Sequence, residues 1–202
     1  MTEFMRKILF FLILNLIILP SYSVETYSEL KEYIENLTQE VPKVLNDQNL
    51  TEEVKISKSH NLLISNLDLD WMAKYTLGRY KRGLNPSQIG EFIQIYSKYV
   101  ATSCTDLVKN YKGEQGKIIN INKIDDDEFI VKMEITKIHG QPPMKIDYFI
   151  RQALNGNKYI YKVSDIITEG ISMINSQQAE FTNILQNSGF DVLIIELKKK
   201  CK

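Results

Sequence analysis

The sequence predicts an α+β fold, with helices packed on one face of an antiparallel sheet. Three observations carry this. The hydrophobic period is helical from Glu25 to Tyr111, becomes two after Gly116, and is helical again after Glu169-Gly170. The period-two runs are separated by short clusters of turn residues, as hairpins require. With 44% hydrophobic residues over 202 positions, the chain can bury a core without a disulfide scaffold.

In chain order, Tyr27, Leu30, Ile34, Leu37 and Val41 mark a first helix, expected to break near Pro42. Thr51 is placed to cap a second, with Glu52 and Glu53 in its first turn. Leu69, Met72, Ala73, Leu77 and Tyr80 share one face of a third. Asn85 then reads as an N-cap, Pro86 as the first helical residue and Gln88 as the return half of a capping box. From there Ile89, Phe92, Ile93, Tyr96, Val100, Cys104, Leu107 and Tyr111 recur at helical spacing through about six turns, until Gly113 and Gly116.

Four strands follow. Lys117 to Ile124 turns at Asp125-Asp126-Asp127 into the run Phe129, Val131, Met133, Ile135. His139-Gly140-Gln141-Pro142-Pro143 leads to Met144, Ile146, Tyr148 and Ile150. Asn155-Gly156-Asn157 is a hairpin signal before Tyr159, Tyr161 and Val163. These alternations put one apolar face on a four-stranded meander. Ile174, Phe181 and Leu185 mark a helix closed by Gly189, and Val192 to Leu197 a short last one, followed by a frayed lysine-rich tail.

The N-terminus reads as a leader. Arg6 and Lys7 precede an apolar run from Ile8 to Leu19 broken only by Asn15. Pro20 ends it, and Ser21-Tyr22-Ser23 offers small residues for cleavage after Ser23. Twelve residues span about 18 Å as a helix, short of a hydrocarbon core of about 30 Å. Residues 1–23 are thus expected to be a signal peptide and 24–202 a single exported domain.

Balanced charge, with 25 Lys+Arg and 25 Asp+Glu, lacks the basic stripe that nucleic-acid binding needs. No catalytic constellation stands out. His60 and His139 lie in polar surroundings, and Cys104 is mid-helix on an apolar face. Asp125, Asp126, Asp127 and Glu128 lack the spacing and glycine of a calcium loop. No metal, cofactor or enzymatic activity is expected. Cys104 and Cys201 could pair in an oxidising compartment, or Cys104 could be a small buried hydrophobe. The apolar sheet face, with Phe92, Tyr96 and Val100 on the long helix, either fills a core or lines a cavity; periodicity leaves both open.

Five segments resemble one family in order. They are Asp68-Leu69-Asp70-Trp71-Met72-Ala73 through Leu77-Gly78-Arg79-Tyr80, Asn85-Pro86-Ser87-Gln88 through Phe92, Tyr111-Lys112-Gly113-Glu114, Pro142-Pro143-Met144-Lys145-Ile146-Asp147-Tyr148, and Val163-Ser164-Asp165-Ile166-Ile167-Thr168-Glu169-Gly170-Ile171-Ser172-Met173-Ile174. Together they resemble the MlaC family, also called toluene-tolerance auxiliary transport proteins. In the third segment that family carries Glu or Gln at the place of Glu114. The segment from Glu25 to Asn66 matches poorly, and Lys158-Tyr159-Ile160-Tyr161 stands where the family usually has a Trp.

The resemblance implies a monomeric periplasmic phospholipid carrier. It would exchange lipid with an outer-membrane lipoprotein–porin complex and an inner-membrane MCE-domain ABC transporter, keeping the outer membrane asymmetric. It also implies acyl chains held in a lipid cavity between sheet and helices. The side chains expected around them are Met72, Phe92 and Tyr96 on helices, and Val131, Met133, Ile135, Ile146, Tyr148, Tyr161 and Val163 on strands. Asn85, Pro86, Glu169 and Gly170 would be structural. The rival readings are a chaperone or adaptor with a filled core, and an isomerase-like enzyme using Asp147 or Asp165. Intact mass of the exported protein is expected to show a chain starting at Val24; a chain retaining Met1 would refute the leader.

Overall fold

The computed structural model describes residues 22–136 and 142–201. Most of the expected leader, the expected turn residues His139, Gly140 and Gln141, and Lys202 lie outside them. The chain divides into two compact units, Met1–Tyr33 and Ile34–Lys202. Helix α1 (Tyr22–Leu45) begins in the first and ends in the second. Everything below concerns the second unit. Among the described residues no helix is long and apolar enough to cross a membrane.

Helix α1 runs past Pro42 to Leu45 instead of breaking there. Proline removes one donor, the partner of the Thr38 carbonyl. So close to the helix end this loss is tolerated, and Asn46 N–H still donates to the Pro42 carbonyl at 3.0 Å. Helix α2 (Glu52–Asn66) is capped by Thr51, whose side chain accepts from Val54 N–H. Helix α3 (Leu69–Thr76) is capped by Asp68 and is shorter than its apolar spacing suggests, because Gly78–Gly83 winds into a 3-10 helix. Helix α4 (Pro86–Lys109) has the full capping box: Gln88 N–H donates to the Asn85 side chain at 2.9 Å, and Asn85 N–H to the Gln88 side chain at 3.0 Å.

Strands β1 (Gln115–Asp125), β2 (Glu128–Thr136), β3 (Met144–Asn155) and β4 (Lys158–Thr168) form the expected meander. A fifth, two-residue strand β5 (Ile171–Ser172) is added at the β4 edge. It arises because Glu169-Gly170 is a hairpin loop rather than the opening of a helix. Thr168 pairs with Ile171, and Glu169 and Gly170 have φ of 50° and 81°, the type I′ pattern. The Glu169 carboxylate accepts from Lys145 N–H on β3 at 3.0 Å, which fixes the loop against the sheet.

Helices α5 (Met173–Ser188) and α6 (Phe190–Lys200) close the chain. The tail is not frayed. Lys198 pairs with Glu91 of α4 at 3.2 Å and Lys200 with Glu180 of α5 at 2.6 Å.

The main core lies among α3, α4, α5 and α6. Phe181 stands nearly perpendicular to Phe92 and Tyr96, with centroids at 5.9 and 6.4 Å. The buried Tyr96 hydroxyl donates to Gln177 at 2.7 Å. The aromatic part of the α4 stripe, Phe92 and Tyr96, is therefore spent on other helices, not on the sheet. Amphipathicity says that a helix face is buried, not what buries it.

Gly170 has open space around the place of a Cβ, so sterics with neighbours are not its constraint; its φ of 81° is. Gly170→Val is expected to lower stability by about 1–3 kcal/mol. Denaturant unfolding reads it, and an unchanged midpoint would show that the turn tolerates a β-branched residue.

Candidate functional site

Strand β4 carries an irregularity that sets the site. Its pairing with β3 steps from Ile150↔Val163 to Phe149↔Asp165, leaving Ser164 as an extra residue. Such a bulge reverses side-chain parity. Val163 and Ile166 thus face the same side, where simple alternation would oppose them. Asp165 faces the other side and meets the start of α5. Its carboxylate accepts from Ile166 N–H at 2.8 Å, Ile174 N–H at 3.1 Å and the Ser172 hydroxyl at 2.5 Å. Ser172 in turn caps α5 by accepting from Asn175 N–H at 3.1 Å.

On the Val163 and Ile166 side lies an apolar cavity of about 240 Å³. The sheet contributes Gly116 of β1, Ile135 of β2 and Tyr148 of β3 beside those two. Helix α1 contributes Leu37, Thr38, Val41 and Pro42. Leu63 and Asn66 of α2, with the following Leu67, form a second helical wall. Cys104 of α4 forms the back, and Tyr111 and Glu114 come from the turn after α4. Cys104, Leu63 and Leu67 also touch the helical core, so they separate filled from open space.

Polar ties hold the α2 wall to the sheet. Leu67 bridges Val163, Asp68 N–H donates to the Val163 carbonyl at 2.8 Å, and Lys162 donates to the Ser65 carbonyl. Space beside Gly116 is tight. A Cβ there would lie 3.0 Å from the Met133 methyl and 3.3 Å from Ile135.

Burial pushes the Tyr148 phenol above its ordinary value. Burial does the same to Tyr111, helped by Glu114 beside it and opposed by a hydrogen bond with Asn46. The Cys104 thiol is pushed up to about 11 by burial. At neutral pH these groups are uncharged.

The expected site residues divide. Ile135, Tyr148 and Val163 line the cavity. Met72, Phe92 and Tyr96 do not; they are fully buried in the helical core, for the reason given for α4. Val131 and Met133 are buried on the sheet's inner face but outside the lining, and Ile146 is half-buried beyond it. Tyr161 packs against Phe129 at 6.2 Å, toward the other end of the strands. Sequence reading missed Ile166 because strict alternation from Val163 assigns it to the opposite face; the adjacent polar pair Ser164-Asp165 was the one signal of the bulge. It also missed the α1 and α2 walls, although the Leu37 and Val41 stripe was visible and lacked an assigned partner.

The carboxylates of the enzyme reading lie elsewhere. Asp165 is tied to α5, and Asp147 sits opposite Lys132 on the outer face. Asp126 is engaged by Lys123 at 2.8 Å, and among the described residues no acidic or His/Cys group could hold a metal ion. Both cysteines are free. Cys201 lies against the Ile95 carbonyl, about 14 Å along α4 from Cys104.

Residues 35–199 match the family described as MlaC protein. The chain belongs to the MlaC family. The intermembrane phospholipid transport system binding protein MlaC of Haemophilus influenzae is 23% identical over 141 residues, 69% of this chain and 64% of that relative. The match thus spans less than two thirds of the relative's length. A phospholipid-binding protein from Ralstonia solanacearum, solved in complex with a phospholipid, shares the fold with a TM-score of 0.66. That likeness covers 86% of this chain and 95% of the other, at 14% identity. The Val163–Ile174 segment has a physical account: Asp165 and Ser172 build the α5 cap, and Glu169-Gly170 makes the hairpin between them.

Thiol chemistry offers a check on the cavity's back wall. With its pKa raised to about 11, Cys104 is almost wholly thiol at pH 8, and the thiolate is the reactive form. Iodoacetamide is expected to modify Cys201 first and Cys104 only in denaturant. Equal rates at both in the folded protein, followed by mass, would place Cys104 outside a closed wall.

Proposed function

We propose that this MlaC-family chain is a periplasmic phospholipid carrier that takes lipid acyl chains into the cavity between its sheet and helices α1 and α2. In this reading it works as a monomer between an outer-membrane lipoprotein–porin complex and an inner-membrane MCE-domain ABC transporter, and supports outer-membrane asymmetry. The supporting observation is the cavity itself, lined mainly by apolar side chains of the sheet, α1 and α2, with Thr38 and Asn66 the polar exceptions on the two helices. Each buried CH₂ contributes about 0.8 kcal/mol, so a diacyl lipid does not cross water unaided. A dry apolar slot removes that barrier. The names of the two relatives agree with this reading.

A charge in the slot tests it. Ile135 faces the cavity, while its neighbour Thr136 is exposed on the opposite side of β2. An unpaired carboxylate against hydrocarbon costs several kcal/mol, whereas in the empty protein water can enter beside it. Ile135→Asp is expected to fold, by circular dichroism, and to purify with less than about a tenth of the wild-type phospholipid. Thr136→Asp should carry wild-type amounts. Equal phospholipid on both variants would move the lipid out of this cavity. No lipid on wild type or either variant would favour an adaptor.

A further inference from the structure

Among the described residues lining the cavity, Glu114 is the only acidic or basic side chain. It is half-buried and held in place, unlike a free surface carboxylate. The turn Tyr111-Lys112-Gly113-Glu114 fixes it, with Gly113 at a φ of 95°. One Glu114 carboxylate oxygen accepts from Lys112 N–H at 2.8 Å, and its carbonyl accepts from the Tyr111 hydroxyl at 3.2 Å. The side chain of Lys112 is itself exposed. Tyr111 and Glu114, joined by that hydroxyl-to-carbonyl hydrogen bond, form one polar end of a slot whose other polar lining side chains are Thr38 and Asn66.

We propose that Glu114 selects the headgroup, favouring zwitterionic, ammonium-bearing phospholipids over anionic ones. This rests on the cavity being the acyl-chain site. Tails in the apolar part leave the headgroup at the polar end, because phosphate and glycerol find no partner among Leu63, Val163 and Ile166. There an anionic headgroup sets an uncompensated phosphate near a fixed carboxylate in partly excluded water, where like charges repel more than in bulk. An ethanolamine or choline headgroup can turn its ammonium toward Glu114 instead. Hydrocarbon walls cannot discriminate in this way.

The test uses purified protein equilibrated with vesicles of equal phosphatidylethanolamine and phosphatidylglycerol, with bound lipid extracted and quantified by mass spectrometry. Wild type is expected to be enriched in phosphatidylethanolamine by roughly two- to fivefold, the range of a partly exposed charge pair. Glu114→Gln should bind as much total lipid but in the vesicle ratio. Glutamine keeps an acceptor for Lys112 N–H, and the family motif carries Glu or Gln here, so the variant should fold. A wild-type ratio equal to that of the vesicles, or an unchanged preference in Glu114→Gln, overturns headgroup selection while leaving the carrier reading intact. No bound lipid in either protein overturns the carrier reading and the selection with it.

Discussion

The bulge at Ser164 and the carboxylate beside it are the constraint on which the rest of the fold depends. One extra residue turns Val163 and Ile166 to the cavity side and Asp165 to the opposite side, where it is buried against the start of α5. Hydrogen bonds to a charged group contribute about 1.5–3 kcal/mol each, and Asp165 takes three donors within reach of the first turn of α5. Two of those donors come from Ser172 and Ile174, so the same carboxylate that ends the regular part of β4 sets where α5 begins. Were the strand regular, either Ile166 would leave the inner face or Asp165 would be buried against it without donors. The type I′ loop at Glu169-Gly170 is what lets the chain double back quickly enough for Ser172 to reach Asp165.

A consequence is a molecule with two apolar volumes. The aromatic interior of α3 to α6 is closed: Phe92, Tyr96 and Phe181 are fully buried, and burying side chains of this size contributes roughly 1.5–3 kcal/mol each. The sheet's inner face is only partly covered, by α1 and α2, and the space left is the cavity. Cys104 belongs to both. An empty apolar slot forfeits dispersion contacts along its lining. The closed helical interior, tied to the sheet through Asp165, supplies the stability that the slot does not.

Local signals were legible in the sequence and long-range partners were not. Asn85-Pro86 and Gln88 read correctly as a capped helix start, because capping is decided within four residues. The meander was readable because one period-two face repeats in each strand. Glu169-Gly170 was recognisable as a place needing glycine, but its turn type depends on the β5 pairing, which two residues cannot announce. The bulge at Ser164 was marked only by the break in period two, with Ser164 and Asp165 adjacent between Val163 and Ile166, a signal too short to tell a bulge from a strand end. Phe92 and Tyr96 were rightly expected to be buried, yet placed against the wrong partner. Ile135, Tyr148 and Val163 could be placed on the cavity side from strand parity alone.

How the cavity is walled bears on how a proposed carrier would let go of its cargo. The α2 wall joins the sheet through the Leu67–Val163 bridge, the Asp68 N–H bond and Lys162, all at the β4 edge. On the β1 side, Gly116 lines the cavity together with Leu37, Thr38 and Val41 of α1, and the Tyr111 phenol is hydrogen-bonded to Asn46 just beyond the end of that helix. Net protein hydrogen bonds are worth about 0.5–1.5 kcal/mol each, so parting α2 from the β4 edge would cost the sum of its ties. A carrier that released its cargo without breaking those ties would leave Asp165 and the closed helical interior undisturbed. The wall that sets the cavity's shape at β4 would then stay in place while lipid passed along the slot.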